Sequence, residues 1–276
     1  MRLAHTAFGG QGPPFLILHG LFGSSKNWAS VGRYLAGYCR PYALDLRNHG
    51  QSPRSPSHSL EDLVGDLEQW IRENLSEPPV LLGHSMGGLA AMGYALRHPS
   101  EVRALAVVDM APRAYGHSYE AEFQALRLDL STYKSRVEID RALAVLLPDE
   151  RTRRFFQTSL EPGPEGFRWT VNGPALEESP LLGGQEPALQ GRYEGPTLLV
   201  RGGNSPFVGE QDVARMRELF PALRVLTIAG ADHWVHASAP QAFREAIADF
   251  LSSGERSPGP AAGLTSSGPP GCRSQC

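Results

Sequence analysis

The segment GHSMG at 83–87 sets a serine between two glycines in the pattern G-x-S-x-G. A serine hydroxyl becomes an effective nucleophile when a sharp turn lifts it clear of the backbone and a base stands beside it. The apolar run PVLL leads into this segment and the helix-period run MGGLAAMGYALRH leads out, the strand, turn, helix order of a nucleophile elbow. Such a turn holds Ser85 in a strained conformation that only very small residues two positions away accommodate, and Gly83 and Gly87 meet that demand. A helix starting just after Ser85 supplies backbone donors and a positive dipole end where charge develops on a substrate oxygen. The competing reading is a glycine-rich packing turn that happens to hold a serine.

HGLFGS at 19–24 follows the apolar run FLIL and forms a second tight loop. An oxyanion hole needs two N–H donors, and the expected pair is the amide of Met86, after the nucleophile, with that of Leu21, Phe22 being the alternative. Of nine histidines, His233 is the best base, because it follows the last strand-like run, RVLTI, and precedes the final helix. His236 is second, and a His-x-x-His metal site there lacks a third ligand. His19 and His84 are expected to brace the glycine turns, and His5, His58, His98 and His117 to lie on the surface. The acid is less plain. Asn204, after TLLVRGG, is a neutral amide that cannot balance an imidazolium, whereas Asp109 ends the run VRALAVV. Asp109 is therefore preferred, with Glu210, Asp212 and Asp232 as remaining candidates. In DLRNHGQS at 45–52, Asp45, Arg47 and Ser52 are expected to form a supporting polar network around Gly50.

These residues must be carried to one place. Short β-rich runs at 15–18, 41–45, 79–82, 102–109, 197–201 and 224–228 alternate with helix-period segments, which predicts a mostly parallel sheet with helices on both faces. Helices are expected from Leu60, capped by Ser59 with Asp62, and over 86–97, 208–219 and 239–251. Residues 1–111 and 192–251 then form the core. Residues 112–191 break the rhythm with helical, charged runs such as EAEFQALRLDL and a Gly/Pro-rich stretch, and read as a helical cap above the sheet edge. From 252 to 276 Ser, Gly and Pro dominate and a disordered tail is expected. Its terminal CRSQC lacks the cysteine placement of a prenylation box.

Composition excludes whole classes of function. With 41% hydrophobic and 20% charged residues among 276, the chain has material for a large core. A net charge of -3 with dispersed Lys and Arg gives no footprint for nucleic acid or an anionic membrane. The densest basic cluster, RTRR at 151–154, reads as a solvated helix face. Three cysteines, two of them in the tail, give neither a disulfide framework nor a zinc ligand set, which fits a reducing compartment. No signal peptide, organelle address or stable membrane insertion is legible, so a cytoplasmic location is expected.

Together HGLFGS, DLRNHGQSP, GHSMGG, VVDMAP, RGGNSPFV and AGADHWVHA resemble the α/β-hydrolase superfamily, and within it the YbfF-type esterases and their mitochondrial abhydrolase relatives. The resemblance spans nearly all of 1–251. It implies the α/β-hydrolase fold with an eight-stranded sheet, a helical cap, no cofactor, and hydrolysis of small-molecule acyl esters or thioesters, acyl-CoA included. It also suggests the acid at Asp109. Some relatives carry an acid in a cap segment similar to RWTVNGPAL, where this chain has no carboxylate before Glu177, and relatives usually have glycine at Asp232. The expected mechanism is an acyl-enzyme on Ser85, with His233 as base, Asp109 as orienting acid, and Leu21 and Met86 binding the oxyanion. The rivals are another reaction on the same scaffold, such as perhydrolysis or carbon–carbon bond hydrolysis, and a ligand-binding protein without turnover.

Overall fold

The computed structural model describes residues 1–163 and 166–254. In chain order the elements are β1 (His5–Ala7), β2 (Pro14–Leu18), α1 (Ala29–Leu35), β3 (Arg40–Leu44), α2 (Leu60–Asn74), β4 (Val80–His84), α3 (Met86–Arg97) and β5 (Ala104–Val108). Then come α4 (Glu120–Leu126), α5 (Arg136–Leu146), α6 (Glu150–Gln157), β6 (Leu160–Gly163), β7 (Gly166–Trp169) and α7 (Gly173–Glu177). The chain continues with β8 (Thr197–Gly202), α8 (Glu210–Leu219), β9 (Leu223–Ile228), α9 (Val235–Ser238) and α10 (Pro240–Gly254).

Seven strands pair in the order β1-β3-β2-β4-β5-β8-β9, with β1 antiparallel to β3 and every other pair parallel. The sheet thus has seven strands among the described residues, where the family resemblance implied eight. The six β-rich runs all became strands. β1 went unread because HTA is three exposed residues with no apolar pattern, placed by its ladder to β3 and by contacts of His5 with Tyr42 and Trp70. Strands buried on both faces read as continuous apolar runs, and alternate side chains go to opposite layers. Leu16, Leu18, Leu81, Leu105 and Leu199 face α2, α3 and α8, while Phe15, Ile17, Leu82, Ala106 and Val200 face α1 and α10.

The helices start and stop where local chemistry says they must. The Ser59 hydroxyl accepts the Asp62 amide at 3.1 Å and the Asp62 carboxylate accepts the Ser59 amide at 3.0 Å, closing a capping box on α2. Pro99 and Pro221 lie just past the ends of α3 and α8. α10 runs to Gly254, so it takes the first three residues assigned to the tail, and residues 255–276 lie outside the described residues.

Between β5 and β8 stand α4–α7 and the hairpin β6–β7, paired from Leu160↔Trp169 to Gly163↔Gly166. A Gly/Pro-rich loop was expected there instead of strands, because Pro162 and the two glycines mask the pairing in sequence. These elements share a hydrophobic cluster of their own, including Phe123, Ile139, Leu143, Phe156, Trp169 and Leu176. One core residue, Phe22, is buried inside it.

β2 lies between β3 and β4, so the direction in which strands are added reverses beside it. Open α/β sheets bind ligands at that switch point, outside the carboxyl ends of the strands. Among the described residues no helix is long and apolar enough to cross a membrane.

Candidate active site

Four non-glycine residues have positive φ among the described residues: Phe22 (63°), Asn48 (66°), Ser85 (51°) and Asp109 (49°). They sit in the segments leaving β2, β3, β4 and β5, all at one edge of the sheet. Backbone strain concentrated in this way marks a functional edge, because packing must hold each residue in a conformation that costs about 1–3 kcal/mol.

Ser85 joins β4 to α3 with φ 51° and ψ −123°. A Cβ on Gly83 would lie 2.2 Å from the Gly87 carbonyl oxygen, and one on Gly87 would lie 2.4 Å from that of Leu18. The small residues on either side are therefore required by backbone contacts, to each other and to β2. Met86 opens α3, so its amide belongs to the first turn, which a helix leaves without intrahelical partners. Across the loop, a Cβ on Gly20 would stand 3.0 Å from the Ser85 Cβ.

His233 follows β9 and precedes α9. Its Nδ1 meets Asp109 Oδ2 at 2.8 Å. Asp109 is fully buried and accepts the Gly202 amide at 3.0 Å on Oδ1 and the Ser205 hydroxyl on Oδ2. Asn204 turns away and donates to the Gly230 carbonyl at 3.2 Å. Because β4, β5, β8 and β9 are successive neighbours, their ends deliver Ser85, Asp109, Ser205 and His233 side by side. The other weighed acids go elsewhere: Glu210 pairs with Arg201, Asp212 with Arg113, and Asp232 with Arg151 at 2.7 Å. Asp232 also accepts the Trp234 amide at 2.9 Å, so its carboxylate shapes the turn after the histidine and ties it to α6. RTRR, read as a solvated face, therefore carries one arginine bonded to the core and another, Arg153, paired with Asp140.

Ser85, His233, Gly20 and Leu21 line one cavity of about 310 Å³. Its remaining walls are mostly aromatic, with Phe22, Tyr119, Phe155, Phe156, Phe207 and Trp234. Phe207 stacks on the His233 ring with centroids 3.7 Å apart and planes at 18°. Glu122 also lines the cavity, and neither lysine nor arginine does among the described residues.

The other histidines divide differently from expectation. His84 braces the turn: its Nε2 donates to the His233 carbonyl at 2.9 Å, and burial, then the nearby His233 and His236 rings, hold it well below the usual imidazole range. His19 Nε2 accepts the Leu46 amide at 3.0 Å, and burial lowers its pKa. His236 stacks on Trp28 at 4.1 Å, and burial pushes it down to about 4. His58 is buried rather than superficial, with Nε2 3.2 Å from Met86 Sδ, and His117 lines the cavity. Surface placement was expected because these residues lie outside the edge loops; it holds for His5 and His117, which are exposed, and fails for His58, whose carbonyl accepts the Ser179 hydroxyl of the insert.

Asp45 and Ser52 do support their loop. Asp45 accepts the Ser25 amide at 2.6 Å and the Gln51 amide at 2.8 Å, and the Ser52 hydroxyl donates to the Asp45 carbonyl. Arg47 instead forks onto Asp66 at 2.6 and 2.9 Å. Ser205 and the aromatic walls were missed in sequence. Ser205 and Phe207 had one usable signal, their place in the loop after a predicted strand; the walls from α4 and α6 had none.

A family model described as alpha/beta hydrolase fold matches residues 13–240. The chain is 34% identical over 248 residues to the sn-1-specific diacylglycerol lipase ABHD11 of Mus musculus, covering 87% of this chain and 81% of that protein. It is 32% identical over 243 residues to the esterase YbfF of Escherichia coli (strain K12), covering 86% and 92%. Among solved structures, a marine microorganism esterase aligns with a TM-score of 0.85 at 33% identity, covering 90% of this chain and 99% of the other. The chain therefore belongs to the alpha/beta hydrolase fold family, as a relative of its esterases and lipases.

Proposed function

We propose that this protein is a carboxylic ester hydrolase, active on acyl esters and thioesters, that works through an acyl-enzyme on Ser85. The observation that carries the reading is the meeting of Ser85 and His233 in one cavity while His233 Nδ1 bonds Asp109 at 2.8 Å. Ser85 Oγ attacks the acyl carbonyl and its proton passes to His233 Nε2, leaving an imidazolium that Asp109 orients and stabilises. The carbonyl oxygen, now negative, takes the amides of Met86 and Leu21, donors fixed in place before the reaction starts. The tetrahedral intermediate expels the alcohol or thiol, which takes the proton from His233. Water, deprotonated by the same imidazole, then attacks the acyl-serine, and the proton returns from His233 to Ser85 Oγ as the acyl–oxygen bond breaks and the acid leaves.

The segment 112–191 is the cap that selects the acyl group. Binding cavities run from about 300 to 1,000 Å³, and this one is at the small end. Aromatic walls and the absence of a lining lysine or arginine favour an uncharged, short to medium acyl chain over one bearing a carboxylate. The test is Ser85→Ala in folded protein with p-nitrophenyl acyl esters. Turnover is expected to fall by at least about 10³-fold. Retained turnover overturns the assignment.

A further inference from the structure

Phe22 is the residue through which the oxyanion loop is held. Its φ of 63° is a conformation that a bulky side chain keeps only under constraint. Its ring is buried in the cluster of the β5–β8 insert, edge-on to Phe123 at 5.5 Å and tilted against Phe156 at 5.1 Å. Its amide donates to His49 Nε2 at 3.2 Å, and its carbonyl accepts the Ser159 hydroxyl at 3.0 Å. Every polar atom of residue 22 is thus committed, one to the loop after β3 and one to the insert. The Leu21 amide belongs to the next peptide back, whose Gly20 carbonyl accepts the Gly23 amide at 3.1 Å and the His19 Nδ1–H at 2.8 Å, so the loop is held on both sides of Leu21.

Two imidazoles make this arrangement reciprocal. His19, in the loop after β2, accepts the Leu46 amide from the loop after β3, and His49, in that loop, accepts the Phe22 amide from the first. Each ring spends its Nδ1–H on a nearby carbonyl, His19 on Gly20 at 2.8 Å and His49 on Arg47 at 2.8 Å. The rings meet edge to face at 4.9 Å. Both rings must be neutral for Nε2 to accept. Burial, reinforced by the neighbouring His19 and His58 rings, holds His49 well below the usual imidazole range.

We infer that His49 and Ser159 are positioning residues of the oxyanion hole, acting through Phe22 to aim the Leu21 amide into the cavity. The inference rests on the reading of Ser85 as nucleophile with Leu21 and Met86 as donors. Losing one oxyanion donor costs about 10²–10³ in kcat, so misplacing one by loss of its support costs about 10- to 100-fold. Gln puts an acceptor oxygen close to the position of Nε2, and Leu does not.

The experiment compares wild type, Ser85→Ala, His49→Leu, His49→Gln and Ser159→Ala on a short-chain p-nitrophenyl ester, with kcat and KM measured separately. His49→Leu is expected to lower kcat about 10- to 100-fold with KM within about twofold, and His49→Gln to recover most of the loss. Ser159→Ala is expected to lower kcat about three- to tenfold, again with KM kept. Unchanged kcat in His49→Leu, a rise in KM alone, or a Gln variant no better than Leu overturns the inference. If His49→Leu does not fold, Ser159→Ala decides, and an unchanged kcat there overturns it. Full activity in Ser85→Ala is a different failure, that of the nucleophile assignment itself.

Discussion

The sheet edge and the insert above it are built on opposite principles. At the edge, position is set by backbone: positive φ at Ser85 and Asp109, glycines that allow near-contact between β4, α3 and β2, and a carboxylate gripped by the Gly202 amide. Little there can shift without a clash. The insert sits on its own aromatic cluster and reaches the core chiefly through side chains, Arg151 to Asp232, Lys26 to Glu161 at 2.9 Å, Asn27 to Thr158 at 3.1 Å and Asn172 to Asn48 at 2.9 Å, with one backbone bond from the Asn172 amide to the Asn48 carbonyl at 2.9 Å. Contacts of the second kind are individually weak and replaceable. The contrast separates a strained edge that carries Ser85 and Asp109 from an insert that supplies Tyr119, Phe155 and Phe156 to the cavity walls and grips the edge at Phe22 through Ser159.

This contrast can be broken most decisively at Asp109. Asp109→Asn keeps the shape but cannot balance the imidazolium, and turnover of a p-nitrophenyl ester is expected to fall by about 10⁴-fold. A near-normal rate would mean that the edge does not depend on this carboxylate and would move the search to Glu210, Asp212 or Asp232.

The junction between the two regions gives an intermediate effect. His58 is buried beside Met86, its carbonyl accepts the Ser179 hydroxyl, and burial pushes its pKa from 6.5 to about 4. The native state keeps this ring neutral, so between those two values the unfolded chain binds the extra proton. Its contribution is therefore complete above pH 6.5 and is lost as pH falls toward 4. Urea unfolding should show stability about 2 kcal/mol lower at pH 5 than at pH 7 from this ring alone. His58→Gln should reduce that slope, and an identical slope in the variant would show that the ring is not buried neutral.

The smallest effect is expected in the insert. Arg151→Ala removes a pair whose arginine is 66% exposed, and unfolding stability should change by less than about 1 kcal/mol, less still in high salt. A loss above about 2 kcal/mol would place electrostatics, not the aromatic cluster, in charge of holding the insert down.

Several features were legible before any fold was known, and for one reason: each is local. GHSMG encodes its turn through two glycines within two residues of the serine, the Ser59 capping box closes over three residues, and alternation of β-rich runs with helical segments gives the parallel sheet. The hairpin β6–β7 was masked by Pro162 and two glycines, and the buried state of His58 and the cavity walls were not legible because they depend on what packs above the edge. The eighth strand came from resemblance and is not among the described residues.

The sequence by itself determined that a serine would be raised on a tight turn at the end of an apolar strand, and that a histidine late in the chain would follow the last one. Both are written in short stretches of chain, although the close approach of Gly87 to β2 that demands a glycine there arises only in the folded sheet. Which carboxylate faces that histidine was decided only by strand order, since Asp109 ends β5 and His233 follows β9, with β8 alone between those two strands. The pairing of His49 with Phe22 and of Ser159 with the same residue was likewise decided by tertiary packing. A hydrogen bond between distant segments depends on relative placement, and no spacing along the chain records it.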